Sequence, residues 1–121
     1  MVICDIDDTL LSAGTHPIQK NIDYLNSLPG RKVIVTGRPK SDRAATVKAL
    51  HAAGVKYGSL LMNPYSAANS NKFKEEVGHK LHDATLAIDN NPDARRAYAK
   101  AGIKTLDPAA IPNIKKFWDI P

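Results

Sequence analysis

Short runs of apolar, often β-branched residues alternate along the chain with longer segments in which apolar residues recur every three or four positions. The short runs predict β-strands at 1–6, 32–36, 59–62 and 84–88, with a short fifth strand around 103–105. The intervening segments predict four helices, each with one apolar face. The residues assigned to these faces are Ile18, Ile22, Leu25 and Leu28, then Ala44, Val47 and Leu50, then Phe73, Val77 and Leu81, and finally Ala94, Ala97 and Tyr98.

Strands that are apolar throughout and separated by helices are typical of a parallel sheet covered on both faces. Because crossovers between parallel strands are right-handed, the expected fold is a three-layer α/β/α sandwich with a Rossmann-like central sheet. Pro17 suits the first turn of the first helix, and Gly54 and Gly102 stand where helix C-terminal caps are expected. At 121 residues the chain is predicted to form one domain, 1–121.

Polar residues stand where three of the predicted strands end. Asp5 and Asp7 end the first strand in the stretch VICDIDDTLL, Thr36 ends the second strand, and Asp89 ends the fourth. Ligands of parallel sheets bind at the carboxyl ends of the strands, so these side chains are expected to face one crevice. Neighbouring carboxylates oppose each other's ionisation, and burying them unpaired is costly. The pattern therefore predicts a metal ion or a cationic side chain among them.

The acids also fit the ligand preferences of Mg²⁺, which binds few protein carboxylates and keeps water or a substrate phosphate in its other positions. Asp5 and Asp89, on different strands, suit such a site. Asp93, in the stretch DNNPD, lies one helical turn further on and is a candidate for a metal-bound water or a nearby lysine. An acid in the first turn of a helix is an equally good explanation of Asp93.

Asp5 and Asp7 also suit phosphoryl transfer. One carboxylate can attack phosphorus while the other, protonated, gives its proton to the leaving oxygen. Thr36 offers a hydroxyl and a backbone N–H to a phosphoryl oxygen. Lys74 can stabilise the charged transition state and anchor Asp5.

Four segments together resemble the motifs of the haloacid dehalogenase (HAD) superfamily. DIDDT resembles its DxDxT nucleophile motif, VIVT its second motif, NKFKEEV its third-motif lysine, and LAIDNNPD its fourth motif with the pattern DxxxD. They occur in the family's order over residues 2–93. The resemblance implies a HAD-like hydrolase domain.

The same resemblance assigns roles. It implies that Asp5 is a nucleophile that forms an aspartyl-phosphate, which water then hydrolyses. It implies that Asp7 is the acid/base and gives its backbone carbonyl to Mg²⁺, and the second aspartate of the motif implies phosphoryl transfer rather than dehalogenation. Lys72 competes for the third-motif role, but Lys74 is favoured because it follows Phe73, as family lysines often follow an apolar residue.

Two further features bear on the substrate. Neither 9–32 nor 36–74 has room for a cap domain, and capless members of the family tend to act on large substrates or use a partner to close the site. VTGRP resembles the SGR segment in the phosphatase domain of polynucleotide kinase 3′-phosphatases, where the arginine lies near the substrate phosphate. Arg38 matches that arginine, and a guanidinium suits bidentate binding of phosphate. Gly37 and Thr9, from the VTGRP and DIDDT segments, are the other candidates for substrate binding.

The sequence departs from that subfamily at two positions: Asn90 replaces its common second acid, and Asp8 replaces its usual glycine. The prediction is a Mg²⁺-dependent, capless phosphomonoesterase that removes a terminal (3′) phosphate from a polynucleotide or a nucleotide. A phosphatase for a small metabolite or a phosphoprotein is one alternative, and a non-catalytic HAD-like binding module in a larger assembly is another. No GxxxxGK[ST] loop is present, so a kinase or repair partner would be a separate polypeptide.

The amino-acid composition says less about function than the motifs do. The formal charge of +5 favours anionic partners, although ordinary solvated helix faces explain the scattered basic residues equally well. Cys4, the single cysteine, is interpreted as core filler and favours a reducing compartment. No signal peptide and no run of about 20 apolar residues is found, so a cytoplasmic protein without membrane contact is expected. The closing segment PNIKKFWDIP predicts a last amphipathic helix, with Phe117 and Trp118 packed on the core or, alternatively, Lys115 and Lys116 on nucleic acid.

Overall fold

The computed structural model describes residues 1–111 of the chain. The last helix predicted from PNIKKFWDIP, with Phe117, Trp118, Lys115 and Lys116, lies outside the described residues. In chain order the strands and helices are β1 (Val2–Cys4), β2 (Leu11–Ser12), β3 (His16–Pro17), α1 (Gln19–Ser27), β4 (Lys32–Pro39), α2 (Arg43–Ala52), β5 (Ser59–Asn63), α3 (Ser70–Lys80), β6 (Leu86–Ile88), α4 (Pro92–Lys100) and β7 (Thr105–Leu106).

Five of the strands form a parallel sheet in the order β5-β4-β1-β6-β7. Cys4 of the central strand β1 is paired with Ile34 of β4 on one side and with Ile88 of β6 on the other. The chain runs outward from β1 to β4 and β5, then returns to build β6 and β7 on the opposite side. This reversal creates a topological switch point beside β1, where parallel sheets bind their ligands.

Helices cover both faces of this sheet. Because successive strand residues point to opposite faces, Cys4 packs in one apolar cluster and Ile3 in the other. The Cys4 cluster includes Ile22 of α1 and Leu50 of α2, whereas the Ile3 cluster includes Tyr98 of α4. Burying each of the large side chains contributes roughly 1.5–3 kcal/mol. The predicted three-layer α/β/α fold is confirmed.

The apolar face predicted for α2 is wrong. Leu50 is buried as expected, but Ala44 is exposed and Val47 is 37% exposed. Thr46 is the other fully buried residue of this helix, and its hydroxyl accepts a hydrogen bond from Arg38 Nη1 at 3.3 Å. A polar contact therefore sets the rotation of α2, which apolar spacing alone does not reveal.

The position of Pro17 also differs from the prediction. It lies in β3, paired with Leu11 of β2, rather than in the first turn of α1. This small antiparallel hairpin follows the turn after β1, and no periodic pattern in the sequence predicted it. Gly54 and Gly102 do follow α2 and α4, with φ of +75° and +85°, the left-handed conformation expected after a helix. Within 1–111, no helix has the length and hydrophobicity needed to cross a bilayer.

Candidate active site

Lys74 joins two carboxylates that come from different strands. Its Nζ donates hydrogen bonds to Asp5 Oδ1 at 2.9 Å and to Asp89 Oδ2 at 2.7 Å. Asp5 follows β1 and Asp89 follows β6, while Lys74 comes from α3. None of the three side chains is more than 7% exposed, so water screens their charges poorly. The structure therefore brings these three predicted residues together in one buried cluster.

The two lysines of α3 point in different directions. Residues two apart on a helix do not share a face. Phe73 and Val77 bury one face of α3 in the core, and Lys74 reaches Asp5 from beside them. The Lys72 Nζ lies instead 5.2 Å from the centre of the Tyr65 ring. Of the two candidates, Lys74 is the one that contacts the predicted nucleophile.

This buried cluster holds two acids and one base. Burial raises the pKa of Asp5 to about 6, although the Lys74 charge acts in the opposite direction. Burial also acts to lower the pKa of Lys74, but the charges of Asp5 and Asp89 outweigh it and raise that pKa. With all three groups ionised the cluster carries one excess negative charge, so a second cation beside Asp5 would be stabilised there.

Thr9 positions the Asp5 carboxylate through a side-chain hydrogen bond. Its Oγ1 donates to Asp5 Oδ2 at 3.0 Å and accepts the backbone N–H of Asn90 at 3.2 Å. Its carbonyl accepts a hydrogen bond from Asn21 Nδ2 at 2.8 Å. Thr9 is fully buried. This differs from its predicted role in substrate binding, because the hydroxyl is used inside the protein to orient the Asp5 carboxylate.

Asp7 and Arg38 form a bidentate ion pair at the rim of the crevice. Arg38 Nε donates to Asp7 Oδ2 at 3.0 Å, and Arg38 Nη2 donates to Asp7 Oδ1 at 2.7 Å. Nη2 also reaches the Gly14 carbonyl at 2.9 Å. The predicted phosphate-binding arginine thus holds the predicted acid/base in place. Binding a phosphate through Arg38 requires it to exchange one of these acceptors for a phosphoryl oxygen.

A bulge in β4 carries two of the predicted residues into the crevice. β4 and β5 lose register between Thr36 and Pro39, so that Gly37 and Arg38 lie outside the regular ladder. Bulges commonly redirect side chains beside functional sites. Thr36 is fully buried, and its Oγ1 accepts the Arg38 backbone N–H at 3.1 Å, which leaves its hydroxyl proton for another acceptor.

Gly37 is required by a close approach of α3. A Cβ atom at this position would lie 2.9 Å from the Cβ of Ser70, which is closer than two such carbons can pack. We expect Gly37→Ala to lower the free energy of unfolding by about 1–3 kcal/mol, since the bulge or the start of α3 must shift. The check is urea denaturation beside Gly58→Ala, where the nearest atom lies at 3.5 Å. Equal losses in both variants would show that the contact with Ser70 is unimportant.

Asp93 does not join the cluster. α4 begins after Asn91, whose side chain accepts the Asp93 backbone N–H at 2.8 Å. The Asp93 carboxylate is exposed and pairs with Arg96 on the same helix. This placement matches the alternative explanation, an acid in the first turn of a helix.

Other buried polar side chains, which the sequence reasoning missed, support the crevice. Asn63 is 1% exposed and donates to the Gly37 carbonyl at 3.3 Å and to the Ser66 carbonyl at 3.1 Å. It directly follows an apolar strand, which is the same signal that identified Thr36. Asn21 gave a weaker signal, a polar residue within the apolar spacing of its helix.

One solved structure with a similar fold is the Pnkp1/Rnl/Hen1 RNA repair complex. A chain of that complex matches with a TM-score of 0.67 and 18% sequence identity. The likeness shows the fold. The match covers 88% of this chain but only 41% of that chain, so this chain spans about two fifths of its length. No family model and no curated protein matches the sequence.

The end of the Asn90 side chain lies next to Asp5 and decides whether a cation has a place there. The end of the Asn90 side chain lies 3.0 Å from Asp5 Oδ2 and 3.1 Å from the Asp7 carbonyl oxygen. If the Asn90 amide nitrogen faces these two oxygens, it donates a hydrogen bond to each. If the amide oxygen faces them instead, the three oxygen atoms repel one another unless a cation lies between them. The first orientation needs no ion, whereas the second would offer three oxygen atoms to a Mg²⁺ ion. No group of three His, Cys, Asp or Glu side chains in 1–111 is suited to a metal, so an ion beside Asp5 would have to use carbonyl or amide oxygens as well.

Proposed function

We propose that this chain is a Mg²⁺-dependent phosphomonoesterase of the haloacid dehalogenase type, with Asp5 as its nucleophile. One observation carries the proposal: Lys74 Nζ lies within hydrogen-bond distance of both Asp5 Oδ1 and Asp89 Oδ2. These residues come from the segments that resemble the first, third and fourth motifs of that superfamily. Polar residues that end strands by coincidence would not be expected to contact the same buried lysine.

In the first step, a carboxylate oxygen of Asp5 attacks the phosphorus of the substrate. A bond forms between this oxygen and phosphorus while the bond to the leaving oxygen breaks, and the leaving oxygen takes a proton from Asp7. Lys74 and Thr9, which each donate to the Asp5 carboxylate, fix its orientation for the attack. The Thr36 hydroxyl proton is available to a phosphoryl oxygen as negative charge develops.

In the second step, water attacks the phosphorus of the aspartyl-phosphate. Asp7 takes the proton of this water, orthophosphate leaves, and the Asp5 carboxylate is restored. The Asp7 side chain is 49% exposed, so it can exchange protons with solvent between the two steps. The same exposure gives water access to the phosphorus, which favours hydrolysis over transfer to another acceptor.

The residues that would hold Mg²⁺ are Asp5 through its carboxylate, Asp7 through its carbonyl oxygen, and Asn90 through its amide oxygen. When bound, the ion neutralises charge on the phosphoryl oxygens. Asp89, the ligand expected from the sequence, has one oxygen on Lys74 and the other on the Asn91 backbone N–H. In this proposal Asp89 therefore positions Lys74 instead of contacting the ion.

We expect Asn90→Asp to lower the Mg²⁺ concentration for half-maximal activity by about tenfold, because a carboxylate replaces a neutral ligand. Titration of Mg²⁺ in an assay with a generic aryl phosphate measures this. Asn91→Asp, which adds the same charge at the start of α4, is the control and should leave the midpoint near that of the unaltered chain. If both substitutions move the midpoint equally, Asn90 is not a ligand.

For the substrate, we propose the terminal phosphate of a polynucleotide. Two observations support this class: Arg38 lies at the rim of the crevice, and the similar chain belongs to an RNA repair complex. A crevice without a cap between its strand ends accepts the end of a large molecule as readily as a small one.

A panel of phosphate esters tests both parts of the proposal. The purified chain is assayed with and without Mg²⁺ on a 3′-phosphorylated oligonucleotide, a 3′-phosphorylated mononucleotide, a sugar phosphate and a phosphopeptide. The expected result is Mg²⁺-dependent hydrolysis with the highest kcat/KM for the oligonucleotide. If the oligonucleotide is the poorest substrate, a metabolite or phosphoprotein phosphatase replaces the polynucleotide proposal. If no ester is hydrolysed, the chain is a binding module.

A further inference from the structure

The two sides of the crevice differ in charge. Beyond β5, a cavity of about 500 Å³ is lined by the cations Lys40, Arg43 and Lys80, and by no acid among its described residues. On the side of β6 and β7, a second cavity is lined by Asp8 and Asp107 against a single lysine. A polyanion that has one end at Asp5 is therefore attracted toward β5 and repelled from β7.

The cavity beyond β5, here called the β5-edge groove, is lined by Lys40, Arg43, Leu60, Leu61, Met62, Pro64, Phe73, Val77 and Lys80. It follows the outer edge of the sheet, since β5 is the terminal strand. Arg43 Nη1 donates to the Leu60 carbonyl at 3.2 Å and so occupies an acceptor that an added peptide strand would need. The groove thus combines cations with apolar surface while discouraging strand addition.

An exposed aromatic residue, Tyr65, directly follows Pro64 of this groove in the chain. Tyr65 is 38% exposed, and its hydroxyl donates to the Glu76 carboxylate at 2.8 Å. The Tyr65 backbone N–H donates to Asn63 Oδ1 at 2.9 Å, and Asn63 in turn binds the Gly37 carbonyl. These bonds hold the ring in a fixed position relative to the bulge that carries Arg38. Lys72 Nζ lies 5.2 Å from the centre of the ring, so a base that stacks on Tyr65 must use the ring face away from Lys72.

We infer that single-stranded nucleic acid runs from the crevice across Tyr65 into the β5-edge groove, with one base stacked on Tyr65 and backbone phosphates near Lys40 and Lys80. This inference rests on the proposed function, because it places the terminal phosphate at Asp5. β5 lies two strand spacings, about 10 Å, from β1. Tyr65 therefore meets a nucleotide upstream of the terminal one, and a mononucleotide cannot use this platform.

Binding without turnover tests the inference independently of catalysis. Fluorescence anisotropy with a labelled single-stranded RNA, in buffer containing a chelator, compares the unaltered chain with Tyr65→Ala and Tyr65→Phe. We expect Tyr65→Ala to raise Kd by at least about fivefold, and Tyr65→Phe, which keeps the ring, to stay within about twofold. Equal affinities of the unaltered chain and Tyr65→Ala, or equal losses in both variants, would overturn the stacking role.

The cations are tested through the salt dependence of the same affinity. Removing one lysine that binds a backbone phosphate should reduce the slope of log K against log salt by about 0.7 for a single strand. We expect this reduction for each of Lys40→Gln and Lys80→Gln, but not for Lys100→Gln and Lys104→Gln, which remove the same charge from exposed sites away from the groove. Equal slopes in all four variants would overturn the proposed path of the nucleic acid along the β5-edge groove.

A polyglutamate peptide of matched charge serves as competitor. If it displaces the RNA at the same concentration as unlabelled RNA does, the groove binds acidic peptide and the inference is overturned. The proposed function is judged separately by Mg²⁺-dependent hydrolysis of an aryl phosphate, which is too small to reach Tyr65. Hydrolysis without the Tyr65 effect removes only this inference, and absence of hydrolysis removes the proposed function.

Discussion

Replacing Lys74 by methionine is expected to lower the free energy of unfolding by about 3–5 kcal/mol near neutral pH, because removing one partner of a buried ion pair leaves the remaining charge uncompensated. Asp5 and Asp89 would then be two buried carboxylates without their shared cation. Urea denaturation measures the loss. The same variant should show no detectable phosphatase activity, since the orientation of Asp5 depends on Lys74.

Lys72→Met is the matched control, two residues earlier on the same helix. The Lys72 ammonium lies over the exposed Tyr65 ring, 5.2 Å from its centre, so its loss should cost no more than about 1 kcal/mol. The Lys74→Met defect should also shrink in mildly acidic buffer. Asp5 has its pKa raised to about 6 by burial even beside Lys74, and once protonated it no longer repels Asp89. Similar destabilisation by both methionine variants at every pH would contradict the buried cluster.

Asp5→Asn is expected to reduce turnover by at least about 10³-fold while leaving the protein as stable as before or more stable. The two effects share one cause, since the ionised carboxylate needed for attack on phosphorus is costly to bury. The pKa of Asp5 rises from an ordinary 3.8 to about 6 in the folded chain, because burial disfavours its charge. The substitution removes that cost together with the nucleophile.

The sign of the pH dependence follows from the same shift. A carboxylate with a raised pKa contributes stability below its unfolded pKa of 3.8, and this contribution is lost as pH rises through about 6. At 1.36 kcal/mol per pH unit, the loss is about 3 kcal/mol. Urea denaturation in the presence of a chelator should therefore show the unaltered chain losing about this much relative to Asp5→Asn over that range. Asp8→Asn, at an exposed turn position, should keep both the turnover and the pH dependence of stability of the unaltered chain. If the stability of Asp5→Asn varies with pH in parallel with that of the unaltered chain, the burial argument is refuted.

The sequence predicts the fold and the central cluster well because both follow from strong patterns. Uniformly apolar strands require a sheet covered on both faces, and parallel strands then bring Asp5 and Asp89, at their carboxyl ends, to one crevice. Lys74 was favoured over Lys72 because it follows Phe73, as family lysines often follow an apolar residue, and in the structure it is the lysine that contacts Asp5. These inferences need no side-chain detail.

Side-chain hydrogen bonds could not be predicted in the same way. Thr9 was expected at the substrate and instead lies behind Asp5, because a hydroxyl in a tight turn can satisfy a buried carboxylate locally. Arg38 binds Asp7, a pairing that depends on the β4 bulge and on a hairpin that left no periodic signal. Likewise Thr46, rather than Ala44 or Val47, is buried beside Leu50 on α2 and contacts Arg38. Hydrophobic and polar spacing along the chain does not reveal such side-chain contacts, whether they are local, as between Thr9 and Asp5, or join distant residues, as between Arg38 and Asp7.

The proposed mechanism requires that the Asp5 carboxylate take the phosphoryl group, and chemical trapping detects this transfer. The chain is mixed with excess aryl phosphate and Mg²⁺, quenched during turnover, and reduced with borohydride, which converts an aspartyl-phosphate to homoserine. Trypsin then releases residues 1–20 as one peptide, which contains Asp5, Asp7 and Asp8. We expect homoserine at position 5 by fragment mass spectrometry, with no such product in Asp5→Asn. Steady turnover with an unmodified Asp5, or homoserine at position 7 or 8, would contradict it.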